Sequence, residues 1–167
     1  ARVLYDGTVL RPGDAGAGFY AWLKRQGGEP WRFELGYQYA APRLELNPSG
    51  FQQSQNVHGP TLALSFVRPR GGGPFHSYSV QVHGESLWTT DGRDLNRGWA
   101  VGVRGDLLLR SFIGFGCDAT YRDPRLDVRE IYYTGVPYER SPYLAASCWA
   151  STDQSKVFAG NLTLFGQ

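Results

Sequence analysis

No stretch of this chain approaches the ~18 consecutive apolar residues of a membrane helix, so a helical membrane protein is excluded. Mean hydropathy is only −0.38, yet that leaves a membrane barrel open, because strands with one apolar and one polar face average to a hydrophilic mean. Cysteine is nearly absent: Cys117 and Cys148 stand far apart, and neither CxxC nor HExxH occurs, so no metal site is expected and no cofactor is implied. Charge of one sign is also lacking. The 17 basic and 15 acidic residues are scattered, leave a net charge of +2 and form no basic block, which argues against nucleic acid as a partner. Methionine does not occur, and no basic segment leads into an apolar one at the start, as expected of a mature chain or an excised piece. The 167 residues suit one domain, taken here as 1–167.

What the chain does have is 14% aromatic residues, 22 glycines and a persistent alternation of apolar and polar positions. From Gly98 to Tyr121, Trp99, Val101, Val103, Leu107 and Leu109 share one parity against Arg104, Asp106 and Arg110. After a pivot at 110–112, Ile113, Phe115, Cys117, Ala119 and Tyr121 alternate with Asp118 and Thr120. Period two means strand, and the stretch predicts a hairpin with arms of about ten residues, the length a tilted strand needs to cross a bilayer. The same pattern recurs at Val3–Leu10, weakly, and at Gly16–Lys24, Trp31–Tyr39, Thr61–Arg68, His76–Thr90, Tyr143–Thr152 and Val157–Gly166, giving about nine candidate strands.

Alternate connections are short (27–30, 69–74, 110–112, 153–156) and the others longer (42–57, 91–97, 122–142). Outer-membrane barrels of Gram-negative bacteria have this asymmetry, with short periplasmic turns and longer external loops. The expected fold is therefore all-β, an antiparallel up-and-down transmembrane β-barrel. Trp22, Trp31, Trp88, Trp99, Tyr121 and Tyr143 are the expected aromatic girdle, and Arg32, Glu34, Ser79, Gln81, His83, Glu85, Arg104, Asp106 and Asp118 the expected lumen-facing polar set. On this reading Val101, Val103, Leu107, Ile113 and Phe115 meet lipid. A β-sandwich packing the same aromatics in its core is the competing architecture.

Four segments, GYQYAAPRLELNPSGFQQSQ, TTDGRDLNRG, GFGCDATYRDPRLDVREIYYTGVPYERSP and WASTDQSK, resemble the uncharacterised bacterial outer-membrane barrel that follows a carbohydrate-binding family-nine-like β-sandwich. Leu46, Asn47, Gly50 and Phe51 match its loop after a Tyr-x-Tyr strand. Asp91, Gly92, Leu95 and Asn96 match its Asp-Gly-x-x-Leu-Asn connection, and Thr152, Asp153 and Lys156 its Thr/Ser-Asp-x-x-Lys turn. The 122–142 loop lacks the family's Gly-Gly-Pro; Gly135, Pro137 and Arg140 keep its outline. The resemblance implies the fold and an outer-membrane location, with no catalytic residue to carry over. Because that barrel is larger and single-chain barrels have even strand numbers, the chain is expected to be part of a barrel, completed by further strands or another chain.

Ser77, Ser79, Gln81, His83 and Glu85 share one strand face, which raises a hydrolase, but no nucleophile elbow accompanies them and no catalytic residue is assigned. Mixed charges at Arg32, Glu34, Arg104, Asp106, Arg110, Asp118 and Arg122 favour interlocked ion pairs over a charge-selective pore. Cys117 and Cys148 flank the long loop symmetrically; a cross-strand disulfide and two buried thiols are both open. Phe51, Tyr132, Tyr133 and Tyr138 place aromatics in external loops, suited to glycan binding or to interface anchoring. The expected function is a non-enzymatic passage, anchor or assembly component in contact with the lipid bilayer and other outer-membrane proteins. The alternatives are a soluble carbohydrate-binding barrel or sandwich and, third, an outer-membrane hydrolase.

Overall fold

The computed structural model describes residues 1–44, 55–93, 95–123, 125–128, 131–153, 155–156 and 158–167. The chain is all-β, and its principal element is an eight-stranded antiparallel sheet. The strands are β3 (Gly18–Arg25), β4 (Trp31–Ala40), β5 (Val57–Arg68), β6 (Phe75–Trp88), β7 (Asn96–Leu109), β8 (Gly114–Arg122), β11 (Tyr143–Ser151) and β12 (Asn161–Gly166), each paired with its neighbour in chain order. Ahead of them lies a small hairpin, β1 (Arg2–Val3) with β2 (Val9–Leu10). Between β8 and β11 come β9 (Arg125–Asp127), the one-turn helix α1 (Ile131–Thr134) and β10 (Tyr138–Arg140).

Register keeps the alternation in phase across the sheet. Phe33, Leu64, Val82, Val103, Ala119 and Ala146 lie in one cross-strand row, and Glu34, Ala63, His83, Gly102, Thr120 and Ala145 in the next, facing the other way. A slip of one residue would exchange these faces.

Burial runs opposite to that of a water-soluble sheet. Along β4 to β8 the apolar positions are the exposed ones, with Leu35, Leu64, Val82 and Val103 at 45–49%. The polar positions between them are half-buried or buried, with Arg104 exposed as the exception. Among the described residues the buried apolar side chains are Leu4, Val57, Ala100 and Val128, which cannot make a core for this sheet.

Buried residues cluster instead at the end of the sheet carrying the longer connections. Asp6, Asn56, Thr89 and Asp127 are buried there together with Leu4 and Val128. The amide of Tyr132 in α1 donates to the Tyr5 carbonyl at 3.0 Å, tying the amino-terminal hairpin to the 123–142 connection. Ile131 packs on Gly7, where a Cβ would come within 3.1 Å of it. The result is a small cap at that end.

The structure departs from the sequence expectation at several points. Val3–Leu10 is a hairpin and not a strand of the sheet, because Gly7 (φ 83°) and the Asp6 carboxylate, bonded to the Thr8 amide at 3.0 Å, turn the chain at 6–8. The sheet therefore has eight strands. The last connection runs from 152 to 160, closed by hydrogen bonds between Thr152 and Gly160, so it is longer than the 89–95 connection at the opposite end; Val157 lies outside the described residues. Among the described residues β3 pairs only with β4 and β12 only with β11, and no closed barrel is found.

Candidate functional site

All nine residues expected to share the polar face do so: Arg32, Glu34, Ser79, Gln81, His83, Glu85, Arg104, Asp106 and Asp118 occupy one side of the sheet. Most of them are bonded to one another or to neighbours. Lys24 Nζ meets Glu34 at 2.8 Å, Gln81 donates to Ser65 Oγ at 3.1 Å, and Arg104 pairs with Asp106, Nε to Oδ2, at 2.9 Å.

Longer reaches skip a strand. Arg122 of β8 bonds Glu85 of β6 at 2.8 Å across Ala100 of β7, and Thr120 lies 3.5 Å from His83 Nε2 across Gly102. Such contacts need a small residue between the partners. A Cβ at Gly102 would collide with both the His83 ring and Thr120 Oγ1. His83 Nδ1 is buried and finds no hydrogen-bond partner among the described residues. The pairs have mixed sign, so the face carries no net field of one charge.

At the end with the shorter turns, the polar face forms an open cavity of about 590 Å³ lined by strands from β4 to β11, including Arg32, Ser79, Asp106, Trp149 and Ser151. Side chains from β4 and β11 bordering one cavity make this the concave side of the sheet. Trp149 was not among the candidates from sequence. Its parity with Ser147 and Ser151 was the available signal.

The expected girdle divides between the two faces. Trp31 lies on the apolar side, its ring 5.1 Å from Phe66 near the shorter turns. Trp88, Trp99 and Tyr121 lie on the same side near the longer connections, with Trp99 and Tyr121 5.4 Å apart. Trp22 and Tyr143 do not join them. Trp22 stands opposite Gly36 with Lys24 above its ring, and Tyr143 opposite Arg122, both on the polar face, because each shares the parity of the polar residues of its own strand.

Cys117 and Cys148 face each other across β8 and β11 and are joined by a disulfide. They lie on the apolar side, in the row of Gly105.

The cap holds a polar node. Asn56, fully buried, donates from Nδ2 to Asp91 at 2.7 Å and to Asp6 at 3.0 Å, and its Oδ1 accepts from the Thr90 amide at 2.8 Å. Burial pushes the Asp91 carboxyl up. The hydrogen bonds from Arg93 and Asn56 and the Arg93 charge outweigh that effect and hold it at about 2. Since the folded value lies below the ordinary 3.8, the node stabilises the fold fully above about pH 4, and that contribution fades as pH falls toward 2. We expect a loss of about 1–2 kcal/mol over this interval, after allowing for solvent screening. Unfolding midpoints measured from pH 5 to 2 should show it, and Asp91→Asn should flatten the profile over the same range.

The residues matched by the sequence resemblance build turns. Leu95 and Thr89 exchange hydrogen bonds, Asn96 accepts from the Gly98 amide at 2.7 Å, and Gly92 takes φ 79° beside Asp91. In the last connection, hydrogen bonds from the Ser155 hydroxyl and amide hold the Asp153 carboxyl below the usual range, with Lys156 at 3.9 Å. Arg140 pairs with Asp127 at 2.7 Å, and Gly135 closes α1 through its bond to the Ile131 carbonyl. Leu46, Asn47, Gly50 and Phe51 lie outside the described residues.

Comparison with models of known protein families, with curated proteins and with solved structures finds no match. What the chain can do must therefore be argued from its own surfaces. Of the loop aromatics, Tyr132 and Tyr133 gather with Tyr5 into an exposed cluster, with ring centroids 5.0–6.5 Å apart, while Tyr138 sits exposed on β10. No group of three or more His, Cys, Asp or Glu able to hold a metal is found among the described residues.

Proposed function

We propose that this chain is wall of an integral outer-membrane β-barrel in a Gram-negative bacterium, acting as an anchor or assembly component. One observation carries the reading: in the sheet from β4 to β11 the exposed positions are mostly the apolar ones, while the polar-face positions, Arg104 apart, are half-buried or buried. In water, exposing Leu35, Leu62, Leu64, Val80, Val82, Val101 and Val103 together would forgo roughly 25 cal/mol for each Å² of apolar surface, and a contiguous patch of this kind marks a surface that meets lipid or a partner. Lipid replaces that missing cover.

Aromatic placement supports it. Tyr37, Tyr39, Trp88, Trp99 and Tyr121 lie toward one rim of the apolar face, Trp31, Phe66 and Tyr78 toward the other, with aliphatic residues between. Trp31 and Tyr39 of β4 are about 27 Å apart along the strand at ~3.4 Å per residue, or about 20 Å along a membrane normal at a ~40° tilt. That is close to the apolar band of a bacterial barrel.

The interlocked, mixed-sign polar face favours an anchor or assembly component over a passage. The test is physical state. The protein should fractionate with outer membranes and be monodisperse only in detergent, and a monodisperse monomer in plain buffer would overturn the assignment. Steady conductance steps in planar bilayers would instead mark a passage.

A further inference from the structure

Trp149 is seated in a way that neither strand pairing nor the membrane reading uses. Its β11 position pairs with Gly116 of β8. A Cβ placed on Gly116 would collide with Nε1 and come within 2.6 Å of Cε2, while one on Gly114 would lie 3.0 Å from Cζ3 and 3.2 Å from Cη2. The indole therefore lies lengthwise along β8, stacked on the backbone of two glycines. Asp106 Oδ1 would stand 2.7 Å from the same Gly116 Cβ, so the carboxylate borders the pyrrole end of the ring, and Ser151 Oγ, 2.9 Å from the Gly114 Cβ, borders the other. Ser79, Arg32, Arg68, His76 and the apolar Val67 and Leu108 are among the other residues lining the cavity of about 590 Å³, within the roughly 300–1,000 Å³ of small-molecule sites.

We propose that this cavity is a binding site for a neutral saccharide, with a pyranose ring stacked on Trp149. The lining selects the ligand class. A flat aromatic surface suits the C–H face of a sugar ring. Around it stand groups that bond hydroxyls: Ser79 and Ser151 donate or accept, Arg32 donates, and Asp106 keeps acceptor capacity beyond its two bonds to Arg104. Two of the lining charges are already paired, Arg68 with Glu29 at 4.0 Å and Asp106 with Arg104 at 2.9 Å, the guanidinium of Arg32 disfavours a cation, and the serine hydroxyls disfavour a purely apolar ligand. The barrel reading enters only in placing the cavity mouth on the periplasmic side.

The test is a titration of tryptophan fluorescence in detergent micelles with chitotriose and, separately, maltotriose. A saturable change with either sugar is expected, and which one responds tells an amino-sugar source from a plain glucan. Trp149→Leu should abolish it. Gly116→Ala keeps the tryptophan but fills the slot beneath it, and should weaken binding at least ten-fold. Trp99→Phe, on the opposite face, should leave the titration unchanged. Circular dichroism confirms the fold of each variant. No saturable response to either sugar, or a response that survives both Trp149→Leu and Gly116→Ala, overturns the proposal. Should the protein prove monodisperse without detergent, the same titration run in buffer still decides the site, so the two readings fail separately.

Discussion

Val103→Arg is expected to destabilise the protein folded in lipid vesicles by about 2–4 kcal/mol, the cost of a guanidinium at the midplane of a bilayer. Val103 sits in the middle of β7, 47% exposed, with Val82 and Ala119 on either side. Leu144→Arg, on the same face but at the rim near the longer connections, should cost only about 0–1 kcal/mol, because an arginine there reaches the interface. The depth dependence is the discriminating feature. If water covered this face, both substitutions would be ordinary surface changes within about 0.5 kcal/mol. Reversible urea unfolding in vesicles measures both, and equal small effects would remove lipid from the apolar face.

Reducing the Cys117–Cys148 bond is expected to lower stability by about 3–4 kcal/mol. The two residues are separated by 31 positions, and opening a loop of that length restores a corresponding entropy to the unfolded chain. The loop so clamped carries β9, α1 and β10, which form much of the cap, so its loss should be felt at Val128 and Asp127 as well as in the β8–β11 pairing. Urea midpoints with and without reductant read the effect, and a mass shift on alkylation only after reduction confirms the bond. An unchanged midpoint on reduction would show that the hydrogen-bonded ladder alone holds β8 to β11.

The alternation in the sequence located the sheet well, because period two is imposed by the pleat and survives any environment that differs between faces. Trp31–Ala40 and the 98–121 hairpin were legible for that reason. Where a strand ends, or a turn bends a short apolar run back on itself, alternation is silent, so Val3–Leu10 read as a strand and the last turn read too short. Trp22 and Tyr143 stand beside a turn and a loop, as girdle residues do, but the parity of their own strands turns them to the polar face. The site at Trp149 was hidden because it depends on Gly114 and Gly116, distant in sequence, having no side chain where the indole rests. The bond between Cys117 and Cys148 was one of two open readings until register placed them opposite each other.

The outer strands of the sheet, β3 and β12, run antiparallel to each other, as the first and last of eight alternating strands must. Among the described residues each has one paired neighbour, and their directions suit antiparallel pairing with each other. Anything inserted between them must preserve the alternation, so it arrives as whole up-and-down pairs and never as a single strand. It must also present apolar side chains beside Phe19 and Leu23 on one edge and beside Leu162 and Leu164 on the other. On the barrel reading proposed above, this sets a parity rule: completion is by whole hairpins, and an odd addition would leave two parallel edges that no short turn can join.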